Sequence, residues 1–306
     1  MNVIIMEKES AISIVEKIDF NSILENPILD IGARFWDKER YSAFASCYKA
    51  MRVVDDLVDN KKSEGELTLV EKEKLVSQIN STIFSSGKVK DNLLETISKF
   101  KISTVPWERF AKSMIYDINN AGFKSIQSFL DYAEGAAIAP ASIMIHLSAL
   151  KKEENEFVAP EFDVIAAARP MAIFAYLVHI IRDFQKDAND NLNYFADELL
   201  LENNLTVQKL KEISDSKKVS ADFRNLIKKY YSLADEYRVK AQSIFDSTFS
   251  TFEPRYYLGL KVIFSLYLQV FERIDVTNGN FTTEELNPTA LEVKERITRT
   301  ITDFEF

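Results

Sequence analysis

The chain has 306 residues, of which 46% are hydrophobic and 28% charged, and it contains only 7 Gly and 7 Pro. Few turn-forming residues and helically spaced apolar positions predict an all-α protein, and the absence of a linker-like stretch predicts one domain over residues 1–306. The net charge of −9 argues against nucleic acid as a partner, because phosphate backbones are bound by basic surfaces. A single cysteine, Cys47, excludes an internal disulfide and suits the reducing cytosol. We therefore expect a cytoplasmic protein.

Eleven helices are predicted from the spacing of apolar residues. Pro106 and Pro254 suit helix starts, and Pro170 predicts a start or a kink because apolar sequence precedes it. Strand signals are weak, and segment 188–205 is polar, rich in Asn and suited to covering a site. The longest apolar run, residues 171–181, is too short to cross a bilayer. In chain order the predicted helices cover residues 7–19, 38–60, 66–85, 90–101, 106–121, 125–149, 163–187, 206–215, 220–247, 254–276 and 283–303.

The helix predicted over residues 38–60 carries one acidic stripe. Asp55 and Asp59 lie one turn apart on the same face, where like charges repel. A solvated polar face is the ordinary explanation of such a cluster. Here the surrounding residues are apolar and indicate a largely buried helix, in which charges are rarely left unpaired. The full stripe consists of Tyr48, Arg52, Asp55, Asp56 and Asp59.

The second acidic cluster continues the most apolar helix of the chain. Residues 171–181 are apolar nearly all round, as in a central helix. Arg182, Asp183 and Asp187 follow without a break, and the two aspartates again lie one turn apart. A buried network of ion pairs between the arginines and aspartates is the structural alternative. The stripe on this helix consists of Tyr176, His179, Asp183 and Asp187.

Two facing pairs of carboxylates are suited to hard divalent cations. Mg²⁺ prefers carboxylate oxygens and commonly shares its remaining positions with water and substrate phosphates. The two clusters therefore predict a Mg²⁺ site that holds a diphosphate. A di-iron bundle is excluded because residues 143 and 176, three before the two histidines, are not glutamates. One cysteine excludes a Cys/His zinc set.

These residues resemble the squalene/phytoene synthase family, the head-to-head trans-isoprenyl diphosphate synthases. The first family signature is similar to Tyr48-x-x-x-Arg52-x-x-Asp55-x-x-x-Asp59, and the resemblance covers roughly residues 26–275. The second family signature is similar to His179-x-x-Arg182-Asp183-x-x-x-Asp187, followed by Asn193-Tyr194-Phe195. Two shorter family segments are similar to Met114-x-x-Asp117 and to Tyr132 through Ala137.

The chain departs from the family pattern at several positions. Segment 26–36 replaces a Ser-rich segment, and Tyr176 and His179 stand where the family has Gln and Asn. These departures bear on substrate and product rather than on the metal chemistry. Leu192 and Ala196 also depart from the pattern, because the family has Arg and Pro at these positions. Ile138 and Pro140 are further departures, in the family's Ala-Gly segment that follows Tyr132.

The resemblance implies an α-helical isoprenoid-synthase bundle with a central cavity for two prenyl diphosphates, with farnesyl diphosphate favoured over geranylgeranyl diphosphate. Head-to-head condensation would pass through a cyclopropyl intermediate to a squalene- or phytoene-type product, and NADPH use stays open. Two or three Mg²⁺ ions would be ligated by Asp55, Asp59, Asp183 and Asp187, with Asp56 as an outer candidate. Arg52 and Arg182 would bind phosphate oxygens through their planar forks. The other expected substrate-binding residues are Tyr48, Tyr132, Tyr176, His179 and Arg255.

Two alternatives share this fold, a class I terpene cyclase and a chain-elongating prenyl synthase. Asp55-Asp56-x-x-Asp59 fits the first motif of the elongating enzymes, but the second cluster lacks their paired aspartates. An alternative of another class is an inactive helical protein that binds lipid or a partner, against which the intact aspartates and arginines argue. Expected partners are prenyl diphosphates and, for product release, a membrane surface. The oligomeric state stays open.

Overall fold

The computed structural model describes residues 8–20, 28–63, 65, 67–84, 88–216 and 218–306. The all-α prediction is confirmed, since the described residues form a bundle of α-helices and one short antiparallel hairpin. The hairpin pairs β1 (Lys151–Glu153) with β2 (Glu156–Val158). The helices are α1 (Lys8–Glu16), α2 (Ile28–Ala33), α3 (Lys38–Ser63), α4 (Leu69–Phe84), α5 (Lys88–Lys99), α6 (Val105–Asn119), α7 (Ile126–Ala133), α8 (Ala139–Ala149), α9 (Val164–Asn189), α10 (Asp197–Glu202), α11 (Val207–Ser216), α12 (Ala221–Ser247), α13 (Pro254–Phe271), α14 (Thr283–Leu286) and α15 (Ala290–Thr302).

The predicted helices correspond to observed ones, with ends that differ by a few residues. The helix predicted over 125–149 is divided into α7 and α8 by a π-helical turn, Glu134–Ile138, and the last predicted helix is divided into α14 and α15. The structure adds α2, α10 and the hairpin, which the sequence analysis did not predict. Predicted helical positions 7, 66 and 85, and the departures at 26 and 27, lie outside the described residues.

Helix boundaries follow local chemistry. The side chain of Asp163 caps α9 by accepting hydrogen bonds from the backbone N–H groups of Ile165 and Ala166 at 2.9 and 3.0 Å. Pro106 and Pro254 lie in the first turns of α6 and α13, where a missing N–H costs no hydrogen bond. Pro170, by contrast, lies inside α9, because apolar packing on both sides continues that helix through it.

The longest apolar helix, α9, lies at the centre of the bundle. It packs against α8, α11, α12 and α13 and buries Phe174, Leu177 and Ile181 completely. By length and composition this helix could cross a membrane, with a mean hydropathy of 1.8 in its most apolar window, but 61% of that window is buried inside the protein. Its apolar surface is therefore used mainly for internal packing.

Helix α13 separates two hydrophobic clusters. One of its faces joins the main core around α9, and the other packs Leu258, Val262 and Leu266 against α1 and α15. Where α13 crosses α2, a Cβ at Gly259 would come within 2.5 Å of the carbonyl oxygen of Gly32. Only glycine permits so close a helix crossing. The assignment of residues 1–306 to a single domain stays a prediction.

The fold brings the ends of several helices to one site. Asp59, Asp117 and Asp187 lie in or next to the last turns of α3, α6 and α9 respectively. The C-terminal end of a helix carries negative partial charge, which disfavours a carboxylate and favours a cation. Helix geometry thus adds to the demand for positive charge at this place.

Candidate active site

The first acidic cluster is divided between an inner and an outer part. Asp56 is 51% exposed and Asp55 33% exposed, so Asp56 lies at the outer edge. The Arg52 guanidinium donates from Nη1 to Asp55 Oδ2 at 2.7 Å and also pairs with Asp56. Arg52 therefore lies along its own helix, with its charge directed at the carboxylates expected to bind metal.

The inner carboxylates of α3 are difficult to ionise. Burial raises the pKa of Asp55 to about 7, and the charge of Asp59 raises it further while Arg52 lowers it. The pKa of Asp59 is also raised, by burial first and then by the charge of Asp117. A carboxyl group that is costly to ionise in isolation gains most from a bound cation.

The second acidic cluster combines a strongly paired carboxylate with a poorly compensated one. Arg182 donates from Nε and Nη2 to the two oxygens of Asp183, at 2.6 and 2.8 Å, and His179 Nε2 lies 2.5 Å from Asp183 Oδ2. Burial alone would raise the pKa of Asp183, but these two partners outweigh it and hold the pKa well below its usual range. Asp187 has the opposite character, because burial and the charge of Asp183 raise its pKa to about 7.

The two clusters meet at Tyr194. Burial is the main cause of the raised pKa of the Tyr194 hydroxyl, and nearby charges raise it further. Asp59 of α3 and Asp187 of α9 therefore both lie near Tyr194. In order of effect the charges belong to Tyr176, Asp117, Asp59 and Asp187.

A second tyrosine, Tyr267 of α13, links the other ends of the clusters. Burial raises the pKa of Tyr267. The nearby charge of Arg182 lowers this pKa, and the nearby charge of Asp183 raises it. Burial is the main cause of the raised pKa of Tyr48 on α3, and Tyr267 is one of the nearby groups that raise it further. The Tyr48 ring stacks on Phe44 with a centroid separation of 5.5 Å. Tyr48 thus lies near Arg52 and Tyr267, and its role in substrate binding stays a prediction.

A further acidic residue, Asp117 of α6, adds to the negative charge of the two clusters. Its carboxylate Oδ1 accepts a hydrogen bond from Lys62 Nζ at 2.6 Å, across 55 positions of sequence. Among the residues that the structure describes, no three His, Cys, Asp or Glu side chains are close enough to hold one metal ion together. The donor set therefore consists of carboxylate pairs on separate helices.

The two departures from the family pattern on α9 border this site. The rings of Tyr132 and Tyr176 lie side by side, with centroids 6.3 Å apart. The Tyr176 ring also approaches the His179 ring at 6.5 Å. Tyr176 is thus directed toward the aspartates of α3 and α6, whose charges raise its pKa after burial.

A π-helical turn fixes the position of Tyr132. Ser113 Oγ of α6 donates to the Tyr132 carbonyl oxygen at 2.7 Å. At Gly135, inside the turn, any Cβ would overlap the Arg109 carbonyl oxygen and the Ser113 side chain. The close approach to α6 therefore requires glycine, and the π turn lets the chain pass this contact without ending the helix.

One predicted site residue lies elsewhere. Arg255, in the first turn of α13, donates from Nε and Nη2 to the Phe35 carbonyl oxygen at 3.3 and 3.2 Å. It precedes Tyr267 by twelve positions, which is about 18 Å along a helix. Arg255 is therefore held by a backbone carbonyl oxygen, and its role in substrate binding stays a prediction.

Four residues at the site were not among the predicted site residues. Asp117 and Tyr194 lie in segments that resemble the family, and this is the signal that could have identified them. Lys62 follows Asp59 by three positions and so continues its helical face. Tyr267 lies in an ordinary apolar helix without a sequence signal.

A small cavity lies beside Asp187. A cavity of about 10 Å³ there is lined by residues that include Phe184, Leu192 and Tyr194, and it has room for about one water molecule. A more open pocket of about 480 Å³ runs along α4 from Leu69 to Asn80 and reaches Asn119 at the end of α6.

Comparison with known proteins identifies the family and the fold of the chain. The squalene/phytoene synthase family model matches residues 31–293. No curated protein sequence matches the chain significantly. Similar solved structures include a dehydrosqualene synthase bound to a ligand, with 14% identity, a TM-score of 0.71 and 96% of each chain covered.

Two further solved structures have the same fold. Squalene synthase HpnC from Alicyclobacillus acidocaldarius has 14% identity and a TM-score of 0.60, with 84% of this chain and 90% of that chain covered. YisP from Bacillus subtilis subsp. subtilis strain 168 has 13% identity and a TM-score of 0.62, with 96% and 99% covered. The helical bundle is thus the isoprenoid-synthase fold of these neighbours. The chain belongs to the squalene/phytoene synthase family and is a prenyltransferase.

Proposed function

We propose that the protein condenses two prenyl diphosphates head to head in a Mg²⁺-dependent reaction, with farnesyl diphosphate as the favoured substrate and geranylgeranyl diphosphate as the longer alternative. The observation that carries this proposal is the pair of acidic clusters, Asp55/Asp59 on α3 and Asp183/Asp187 on α9, each with an arginine hydrogen-bonded to one of its carboxylates. Family membership supports head-to-head prenyl condensation in general, while the metal, the substrate and the residue roles are our inference.

The residues at the site fit Mg²⁺. The pairs Asp55/Asp59 and Asp183/Asp187 offer hard oxygen donors, and Asp55 and Asp187 have raised pKa values that a nearby cation would reverse. Mg²⁺ is commonly held by one or two carboxylates together with substrate phosphates, which matches two separated pairs. When bound, two or three Mg²⁺ ions would act as Lewis acids that neutralise the charge developing on the leaving diphosphate.

The arginines of both clusters orient the carboxylates and offer further donors. A guanidinium group has five N–H donors, and the pairing of Arg182 with Asp183 uses two of them. The remaining donors of Arg52 and Arg182 are available to phosphate oxygens, which their planar shape suits. We assign Asp56, the exposed partner of Arg52, an outer role at most.

Aromatic side chains enclose the reacting end of the substrate. Tyr132, Tyr176 and Tyr194 lie near one another and near Asp117, and they pack with apolar residues of α9 in the main core. Loss of diphosphate from the donor would leave an allylic cation, which the double bond of the second chain would attack. Loss of a proton from the resulting cation would then close the cyclopropyl ring of the intermediate. Exclusion of water protects that cation from hydrolysis. The product would be of the squalene or phytoene type, and its low polarity favours release at a membrane surface from a cytoplasmic enzyme.

The direct test is incubation of the purified protein with farnesyl or geranylgeranyl diphosphate and Mg²⁺, with and without NADPH, followed by mass analysis. The proposal predicts a hydrocarbon or cyclopropyl diphosphate with two prenyl units, and loss of product when Mg²⁺ is chelated. The NADPH arm shows whether the intermediate is reduced. Products with one prenyl unit in all arms would contradict head-to-head condensation.

A further inference from the structure

We propose that Lys62 binds the diphosphate of the substrate and acts as a fixed cation of the active site beside Asp59. This inference rests on the proposed function, because it assigns a residue to the same diphosphate.

The position of Lys62 places its charge inside the site. Lys62 follows Asp59 by three positions on α3 and therefore shares its helical face. Its side chain is 17% accessible and that of its partner Asp117 is 9% accessible, so the ammonium group lies between α3 and α6 rather than in solvent. A lysine that ends a helix would otherwise extend its flexible stem into water.

The surroundings of Lys62 are the carboxylates expected to bind metal. Lys62 lies about one helical turn after Asp59 on α3, and its Nζ lies 2.6 Å from Oδ1 of Asp117 on α6. Lys62 is therefore close to the first aspartate pair as well as to Asp117. A diphosphate bound between Asp59 and Asp187 would arrive within the field of this ammonium group.

Lys62 also differs from the two arginines in how it is paired. Arg52 and Arg182 pair with carboxylates on their own helices, whereas Lys62 pairs across to α6. An ammonium group has three donors, and the hydrogen bond to Asp117 Oδ1 uses one of them. Lysine commonly binds phosphate as a point charge, and its flexible stem allows it to contact a phosphate oxygen without leaving Asp117.

The competing explanation is an ion pair that only joins α3 to α6. Both explanations predict lower thermal stability when Lys62 is replaced, because a buried Asp117 would lose its partner. Stability alone therefore does not separate them. A double-mutant cycle on binding does, because it measures the effect of Lys62 when Asp117 carries no charge.

The experiment measures binding of inorganic pyrophosphate at fixed Mg²⁺ by titration calorimetry. The variants are Lys62→Met, Lys62→Arg, Asp117→Asn and Lys62→Met with Asp117→Asn, and the matched control is Lys49→Met, at an exposed lysine of the same helix. We expect Lys62→Met to weaken pyrophosphate binding about tenfold or more, Lys62→Arg to restore part of it, and Lys49→Met to leave it unchanged. The double variant should bind about tenfold more weakly than Asp117→Asn alone.

Equal affinities for Asp117→Asn and the double variant would overturn the proposal, because Lys62 would then act only through Asp117. A loss of affinity in Lys49→Met as large as in Lys62→Met would also overturn it, by showing a general charge effect. The proposed function has a separate readout. If wild type forms no product with two prenyl units while the expected binding pattern holds, head-to-head condensation is wrong and the assignment of Lys62 stands.

Discussion

Asp59 of α3 and Asp187 of α9 lie near the same group, the partly buried Tyr194 side chain, whose pKa is raised by burial first and then by nearby charges that include both aspartates. Asp187 also has a pKa of about 7, because burial and Asp183 disfavour its ionised form. Two helices thus direct negative charge at one enclosed place. Such an arrangement is costly in isolation and becomes favourable when cations bind.

Removal of one inner carboxylate should lower the rate of catalysis while raising the stability of the metal-free protein. We predict that Asp55→Asn lowers turnover by about two orders of magnitude or more, because one ligand of the metal is lost. Without Mg²⁺, the same variant should be more stable than wild type at pH 8, on the order of 1 kcal/mol, since an unfavourable charge is removed. Turnover of farnesyl diphosphate and thermal unfolding check the two parts. Undiminished turnover would refute the assignment of Asp55 as a metal ligand.

The stability of the metal-free protein should fall as pH rises from about 5 to about 8. Asp55 and Asp187 have raised pKa values of about 7, so the folded state binds more protons than the unfolded state across this window. Their unfavourable effect is small near the ordinary pKa of aspartate and complete above about pH 8. Asp183 has the opposite sign, because its pKa is lowered, and its stabilising effect is lost only below about pH 4.

Thermal unfolding across pH, with and without Mg²⁺ and pyrophosphate, checks this dependence. The fall in melting temperature should disappear when both ligands are present, because a cation reverses the cost of ionising these carboxylates. A variant with Asp55→Asn and Asp187→Asn should show a flatter profile without ligand. An equally steep fall in that variant would show that other groups are responsible.

The activity should depend on the planar shape of the Arg182 side chain as well as on its charge. Its two hydrogen bonds to Asp183, at 2.6 and 2.8 Å, need the planar guanidinium fork. We predict that Arg182→Lys stays folded and loses about tenfold or more in kcat/KM for farnesyl diphosphate. If Arg182→Lys retains wild-type kinetics while Arg182→Ala unfolds, the arginine serves only the buried ion-pair network.

The departures at Tyr176 and His179 should determine the product more than the rate of diphosphate release. The Tyr176 ring lies beside the Tyr132 ring, and His179 pairs with Asp183, so we expect both positions to border the reacting end of the substrate. We predict that Tyr176→Gln with His179→Asn redistributes products, as measured by mass analysis beside total diphosphate release. Tyr176→Phe is the control that keeps the ring and removes the hydroxyl. Unchanged products with reduced release would contradict a role in specificity.

Arg255 should contribute to stability rather than to substrate binding. Its hydrogen bonds to the Phe35 carbonyl join α13 to the segment before α3. We predict that Arg255→Ala lowers the free energy of unfolding by about 1 kcal/mol and leaves KM for farnesyl diphosphate near its wild-type value. A large rise in KM at unchanged stability would show instead that Arg255 contributes to binding of the diphosphate.

The main helices could be predicted because their signals are local. Apolar spacing identifies α3 and α9, and the aspartates on them follow from helical periodicity alone. The π turn could not be predicted, because it depends on the contact between Gly135 and α6. The hairpin was missed because its strands are short and largely exposed, and its turn places Glu154 and Asn155 at positive φ.

The missing parts of the site depend on contacts between distant segments. The pairing of Lys62 with Asp117 spans 55 positions, and no spacing rule joins the end of α3 to the end of α6. Tyr267 lies in an apolar helix and is distinguished only by its proximity to Arg182 and Asp183. Arg255 shows the converse, since the packing of α13 against α2 directs it to a backbone carbonyl instead of the aspartates.

The most direct test of the central claim is a crystal structure with Mn²⁺ and pyrophosphate, in which anomalous scattering locates the metal. Mn²⁺ replaces Mg²⁺ here because both prefer oxygen ligands. We predict metal ions at both the Asp55/Asp59 and the Asp183/Asp187 pairs, joined by one pyrophosphate between α3 and α9. Metal at one pair alone, or pyrophosphate bound away from both, would contradict the claim that the two clusters form one diphosphate site.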